Sequence, residues 1–178
     1  MIRVTQNLLR RFTKAEDGQI VVEFAIMFPI FLTILIGSVE LGIMTLRSAM
    51  LERALDISVR EVRLSTGHPL SYVELKQSIC DNFQQLDNCQ TALTLEMIQV
   101  DPRNWDFDDQ GAICSDRSEE IEPVTAFVAG LDNELMILRA CVKYAPMFPT
   151  TGLAPSLTTD SAGDISLVAK SAFVQEPR

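Results

Sequence analysis

A long apolar stretch without charged residues lies near the N-terminus of the chain. No residue in 24–39 is charged, and Glu40 is the only charged residue before Arg47. At 1.5 Å per residue a helix over residues 24–46 is about 34 Å long, which is enough to cross a hydrocarbon core of about 30 Å. The pattern therefore predicts a transmembrane helix over residues 19–46.

The apolar positions change their spacing after this segment. They recur at three- and four-residue steps, as on one face of a helix, and charged residues take most of the positions between them. This apolar stripe consists of Met50, Leu51, Ala54, Leu55, Val59 and Val62. The sequence Gly67-His68-Pro69 ends the pattern. We predict one long helix over residues 20–65, kinked at Pro29, whose extension over residues 47–66 leaves the membrane and packs on its own domain.

The remainder, residues 67–178, predicts a small α+β domain. Ser71-Tyr72-Val73-Glu74 is a capping box, from which we expect a helix to about Leu86. The apolar residues expected on its buried side are Val73, Ile79, Cys80, Phe83 and Leu86. Alternating apolar residues then predict strands over Thr91–Val100, Glu134–Ala145 and Asp164–Val174. The expected fold is α+β, a long N-terminal helix with a membrane-spanning first half packed on an antiparallel sheet of three or four strands.

Charge predicts the orientation of the chain in the membrane. The residues before the apolar run include four basic and two acidic ones, Arg3, Arg10, Arg11, Lys14, Glu16 and Asp17. This basic leader predicts a cytoplasmic N-terminus and an exported domain. The alternative is a cleaved secretory signal peptide. Against it, the apolar run exceeds the usual 7–15 residues, and no clear A-x-A site follows.

The overall composition excludes one class of partner. The net charge is −9, and Lys and Arg form no cluster after Arg63. Binding to nucleic acid requires clustered cations that neutralise phosphates, so we expect no nucleic-acid partner.

A carboxylate, Glu23, stands at the head of the apolar run. At the centre of a membrane helix it would cost about 2.5–3.5 kcal/mol, so it needs a shallow position, a partner or a function. The stretch Gly18-Gln19-Ile20-Val21-Val22-Glu23-Phe24-Ala25, behind a basic leader, resembles a type IV pilin-like signal. With Pro29 it is similar to the TadE family of the tight-adherence (Flp) pilus system. Residues 172–177 also resemble the aromatic-x-x-Glu-Pro ending common in that family.

The resemblance implies a function and a set of partners. It implies a leader, residues 1–18, cut by a membrane-embedded prepilin peptidase between Gly18 and Gln19. It further implies a non-enzymatic minor pilin or pseudopilin of the bacterial inner membrane, with a pilin-like fold and a periplasmic or extracytoplasmic domain. Its partners would be the bilayer, other pilin or pseudopilin subunits and assembly-platform proteins, with no cofactor and no small-molecule substrate. The alternatives are an uncleaved single-pass envelope protein with a protein-binding domain, or an envelope enzyme.

The spacing of Gln19 and Glu23 suggests how the motif works. Cleavage would create an ammonium on Gln19, four residues before Glu23 and so on the same helical face. That ammonium can neutralise Glu23 of its own chain or of a neighbouring helix, where pairing would set the register between subunits. The simpler interpretation places Glu23 in the headgroup region only because the helix starts there. Glu40, at the other end, is expected at the membrane surface in reach of water, with helix packing as the alternative.

Four cysteines lie on the exported side of the predicted anchor. An even number in an oxidising compartment favours two disulfides. Three connectivities satisfy Cys80, Cys89, Cys114 and Cys141. We favour Cys80–Cys89, which staples the short helix to the next strand, and therefore Cys114–Cys141. Zinc is the rival, although the chain has no C-x-x-C pair and only one histidine, His68, which we assign to a turn.

Two further chemistries have weak signals. Residues 106–117 begin like a calcium loop, but Arg117 stands where a bidentate glutamate belongs, so we favour a solvated acidic loop. No nucleophile motif such as G-x-S-x-G occurs, and we predict no metal site and no catalytic site.

Overall fold

The computed structural model describes residues 18–65, 70–84, 88–104, 112–115, 125–150, 157 and 162–177. In chain order its elements are α1 (Gln19–Leu64), α2 (Tyr72–Asn82), α3 (Cys89–Ala92), β1 (Leu93–Val100), β2 (Leu135–Tyr144) and β3 (Ile165–Val174). The long helix, the short helix and the three strands follow one another as predicted. The α+β fold class is therefore confirmed.

Helix α1 is a single helix of 46 residues that continues through Pro29. It ends where the Ser65 amide donates hydrogen bonds to the carbonyls of Glu61 and Val62. Most side chains of its first half are exposed. The second half buries Leu51, Ala54, Leu55, Ser58, Val59 and Val62. This is the predicted apolar stripe with Ser58 added, and Met50 packs beside it, partly buried.

Helix α2 begins with the predicted capping box. The Ser71 hydroxyl accepts a hydrogen bond from the Glu74 amide, and the Glu74 carboxylate accepts one from the Ser71 amide. The helix ends at Asn82, short of the predicted Leu86, which lies outside the described residues.

One residue predicted for the buried face of α2 is wrong. Val73 is 70% exposed, whereas Leu75, Ile79 and Phe83 are buried. The buried residues follow each other at four-residue steps. Val73 precedes Leu75 by two positions, about 200° around the helix, and therefore faces solvent.

The strands form one antiparallel sheet in the order β1-β2-β3. Ala140 at its centre pairs with Leu95 on one side and Ala169 on the other. The predicted inward residues are buried in all three strands, namely Leu93, Leu95, Met97, Met136, Leu138, Ala140, Val142, Tyr144, Ile165, Leu167, Ala169 and Phe173. The predicted strand start at Thr91 is wrong, because Thr91 and Ala92 donate their amides to the Asn88 carbonyl and form the single turn of α3.

Helix α1 packs against β3 and α2 and thereby orients the sheet along the helix. The Ser58 and Ser78 hydroxyls, 3.0 Å apart, join α1 to α2. At one end of the sheet Tyr144 lies under Arg47, and at the other the Gln175 side chain donates to the Val62 carbonyl. We call these the proximal and distal ends, relative to the apolar half of α1.

Candidate functional site

The predicted cleavage motif lies at the start of α1. Gly18 is the N-cap and Gln19 is the first helical residue. Glu23 follows about one turn later, on the same helical face, and both Glu23 and Phe24 are exposed. A Cβ atom added at Gly18 would meet no heavy atom within 4 Å. Within the described residues, packing therefore does not require glycine at position 18.

The apolar half of α1 presents its side chains outward. In the described part of the chain, α1 is the one helix long and apolar enough to cross a membrane. Only 6% of its most apolar 18-residue window is buried by protein. A core helix of a soluble protein would bury most of such a window, so the exposure fits a lipid-facing segment.

Glu40 is buried by the protein itself. Glu40 is only 3% exposed. Its two carboxylate oxygens accept hydrogen bonds from the backbone amides of Met147 and Phe148, at 3.2 and 3.1 Å. The expectation that Glu40 reaches water is therefore wrong. The alternative, helix packing, is also not what the structure shows, because the partner is the loop after β2.

Arg47 and Tyr144 continue this contact along the helix. The Arg47 guanidinium carbon lies 4.4 Å from the centre of the buried Tyr144 ring. Burial raises the pKa of the Tyr144 phenol above 10.0, the nearby positive charge of Arg47 opposes the rise, and the charge of Glu40 adds to it. The phenol therefore stays neutral at physiological pH. We call Glu40, Arg47, Tyr144, Met147 and Phe148 the junction.

The sequence interpretation missed the junction as a unit. Glu40 and Arg47 are seven residues apart and so lie on nearly the same helical face, which is the local signal available. Their partners lie about a hundred residues later in the chain, at the end of β2 and just after it. The other signal is the uncharged sequence Pro146-Met147-Phe148-Pro149, placed directly after a strand.

The four cysteines lie in the favoured pairs. Cys80 of α2 and Cys89 of α3 have Cα atoms 5.7 Å apart, and Cys114 and Cys141 of β2 have Cα atoms 5.3 Å apart, both within the range of disulfides. Among the described residues no cysteine is free. The second pair fastens residues 112–115 to the sheet, where the Ser115 amide also donates to the Thr94 hydroxyl.

The calcium loop and the histidine were only weak signals, and the structure adds little to them. Of residues 106–117 only 112–115 are described, and His68 lies outside the described residues. Among the described residues, no group of three or more His, Cys, Asp or Glu side chains is placed to hold a metal ion.

Comparison with known proteins agrees with the N-terminal motif. Residues 18–60 match the model of the TadE family, described as TadE-like protein. No curated protein and no solved structure matches the chain. The matched segment begins at the predicted cleavage glycine and covers most of α1, while the similarity of residues 172–177 lies outside it. The resemblance is confirmed over this segment, and the N-terminal part of the chain, residues 18–60, is TadE-like.

Proposed function

We propose that the protein is a membrane-anchored minor pilin or pseudopilin that assists assembly of a tight-adherence pilus. The observation that carries this is the coincidence of three boundaries: Gly18 ends the basic leader, caps α1 and begins the TadE-like segment. In the proposal residues 1–18 are a cytoplasmic leader, 19–46 contain the membrane anchor, 47–66 extend the helix and 67–178 form the extracytoplasmic domain. The chain acts by binding other subunits and catalyses no reaction.

The exposed first half of α1 supports such a role. A single helix in lipid leaves every apolar side chain free to pack against helices of neighbouring subunits. Glu23 is exposed, and its carboxylate has no partner among the described residues of its own chain. In an assembly it would pair with the Gln19 ammonium of a neighbour, which fixes the axial register because sliding unpairs both charges.

Processing by the peptidase tests the proposal. The full-length chain is expressed in a bacterial membrane with a matching prepilin peptidase and its intact mass is measured after detergent extraction. The expected product begins at Gln19, and its net charge moves from −9 to −11 because the leader carries four basic and two acidic residues.

Two glycine substitutions make the processing experiment specific. Gly18→Leu should block cleavage because a side chain next to the cut obstructs the protease groove, whereas Gly42→Leu should be cut normally. The two are matched, since a Cβ at either position meets no heavy atom within 4 Å. Recovery of only the uncut wild-type chain would favour the alternative, an uncleaved single-pass envelope protein with a protein-binding domain. A cut beyond residue 40 would also contradict the proposal, because it would indicate a cleaved secretory signal peptide.

A further inference from the structure

The loop that follows β2 is short, apolar and held on α1. Residues 145–150, which we call the Met-Phe loop, carry no charge. Glu40 binds both backbone amides at its centre, so the loop cannot swing away from the helix without breaking two hydrogen bonds. Nevertheless Met147 is 57% exposed, and Phe148 is partly exposed.

The attachment point lies within the apolar run of α1. On either side of Glu40, Val39 and Leu41 are both exposed on the other faces of the helix. Further along, Leu46 is half exposed as well. The Met-Phe loop therefore lies beside a part of α1 whose exposed apolar side chains are suited to contact with lipid.

Helix length places this part of α1 at a membrane surface. Residues 19–39 rise about 31 Å at 1.5 Å per residue, which equals a hydrocarbon core of about 30 Å. With Gln19 at one surface, Glu40 and the loop it holds reach the other. In this placement the membrane segment ends at about residue 40. The pattern of charged residues alone predicts that it ends at residue 46.

We propose that the Met-Phe loop is a second membrane contact, in which Met147 and Phe148 enter the interfacial layer of the bilayer that α1 crosses. This rests on the proposed anchorage by α1. A helix alone leaves its domain free to rotate and tilt, whereas a helix and a loop fixed beside it define a face that lies down on the membrane. The loop would thus determine which side of the domain is presented to neighbouring subunits.

Lipid-dependent quenching of tryptophan fluorescence tests this contact. The one native tryptophan, Trp105, is replaced by Phe, and single tryptophans are introduced in the full chain as Met147→Trp, Leu131→Trp or Leu35→Trp. Each variant is reconstituted in vesicles of phosphatidylethanolamine and phosphatidylglycerol, with and without bromine on the acyl chains. Leu131 is the matched control because it is an exposed hydrophobic residue just before β2, near the distal end. At that end Gln175 contacts Val62, which lies about 33 Å along α1 from Glu40.

The expected result is loss of fluorescence with brominated lipid for Met147→Trp and Leu35→Trp, and none for Leu131→Trp. Quenching at Leu35 without quenching at Met147 overturns the loop contact and leaves the anchor intact. Absence of quenching at Leu35 overturns the anchor, and with it the proposed function. Phe148→Trp, which exchanges one aromatic ring for another in the same loop, repeats the measurement if Met147→Trp does not fold.

Discussion

Glu40→Ala should release the Met-Phe loop from α1. In the structure one buried carboxylate accepts hydrogen bonds from the amides of Met147 and Phe148, and both bonds are partly shielded from water. Alanine removes both bonds and leaves the two amides without their acceptor. Glu40→Gln keeps the size of the side chain and one carbonyl acceptor, and it should have an intermediate effect.

The magnitude follows from the two bonds. Hydrogen bonds to charged groups contribute about 1.5–3 kcal/mol each, and two bonds that share one carboxylate are not fully additive. We therefore expect Glu40→Ala to lower the free energy of local opening by about 2–4 kcal/mol. Since 1.4 kcal/mol corresponds to a factor of ten, hydrogen-exchange protection of the two amides should fall roughly 30- to 1,000-fold.

The loop sequence makes the assay selective. Proline has no amide hydrogen, so within residues 146–149 only Met147 and Phe148 exchange. Hydrogen exchange followed by mass spectrometry of this segment, on detergent-solubilised protein, reports directly on the two bonds. Glu52→Ala is the matched control, because Glu52 is an exposed glutamate on the same helix. Equal exchange of the two amides in wild type and Glu40→Ala would refute the reasoning.

Three further predictions concern the disulfides, the buried tyrosine and the assembly charge. The two disulfides close loops with sequence separations of 9 and 27. From the entropy of loop closure, Cys80→Ser should lower the free energy of unfolding by about 2.7 kcal/mol and Cys141→Ser by about 3.6 kcal/mol, measured by denaturant unfolding. Free thiols found by non-reducing peptide mapping would contradict both values. Because burial raises the pKa of Tyr144, the stability that depends on its neutral phenol should be complete below pH 10 and lost as the pH rises through the raised value; phenolate absorbance should show an ionisation step above pH 10 that Tyr144→Phe removes. Glu23→Gln should leave leader processing and folding unchanged but abolish co-purification with partner pilins, and normal co-purification would assign Glu23 a merely positional role.

Much of the fold could be predicted because its elements have strong local signals. The change from an uncharged run to an apolar stripe marks α1, and alternation marks the three strands to within about two residues. The capping box at Ser71 marks α2 because it consists of two side chain–backbone bonds within four residues.

The errors occur where neighbouring segments of the chain decide the outcome. Leu75 rather than Val73 faces the core because the angle of α2 against α1 is set by tertiary packing. Thr91 belongs to a helical turn because the Asn88 carbonyl collects two amides there, next to the pair of Cys80 and Cys89. Neither arrangement has a signal in hydrophobic periodicity.

The junction could not be predicted either, because it too depends on contacts between segments that are distant in the chain. A carboxylate near the end of an apolar run is consistent with an interfacial position, a packed helix or a capped loop. Only the return of β2 to the proximal end brings the Met147 and Phe148 amides to Glu40, more than a hundred residues away in the chain.

The two carboxylates of the apolar run therefore have different relations to their own chain. They are 17 positions apart, about 26 Å along α1, which in the proposed membrane anchor places them near opposite surfaces of the bilayer. Glu40 is already satisfied by two amides and buried, which leaves it no capacity to pair with a neighbouring subunit. Glu23 is exposed and has no partner among the described residues of its chain. Of these two carboxylates, Glu23 is therefore the one available for a charge pair between subunits in the proposed assembly. A change at Glu40 should act first on the orientation of the domain and only through it on assembly.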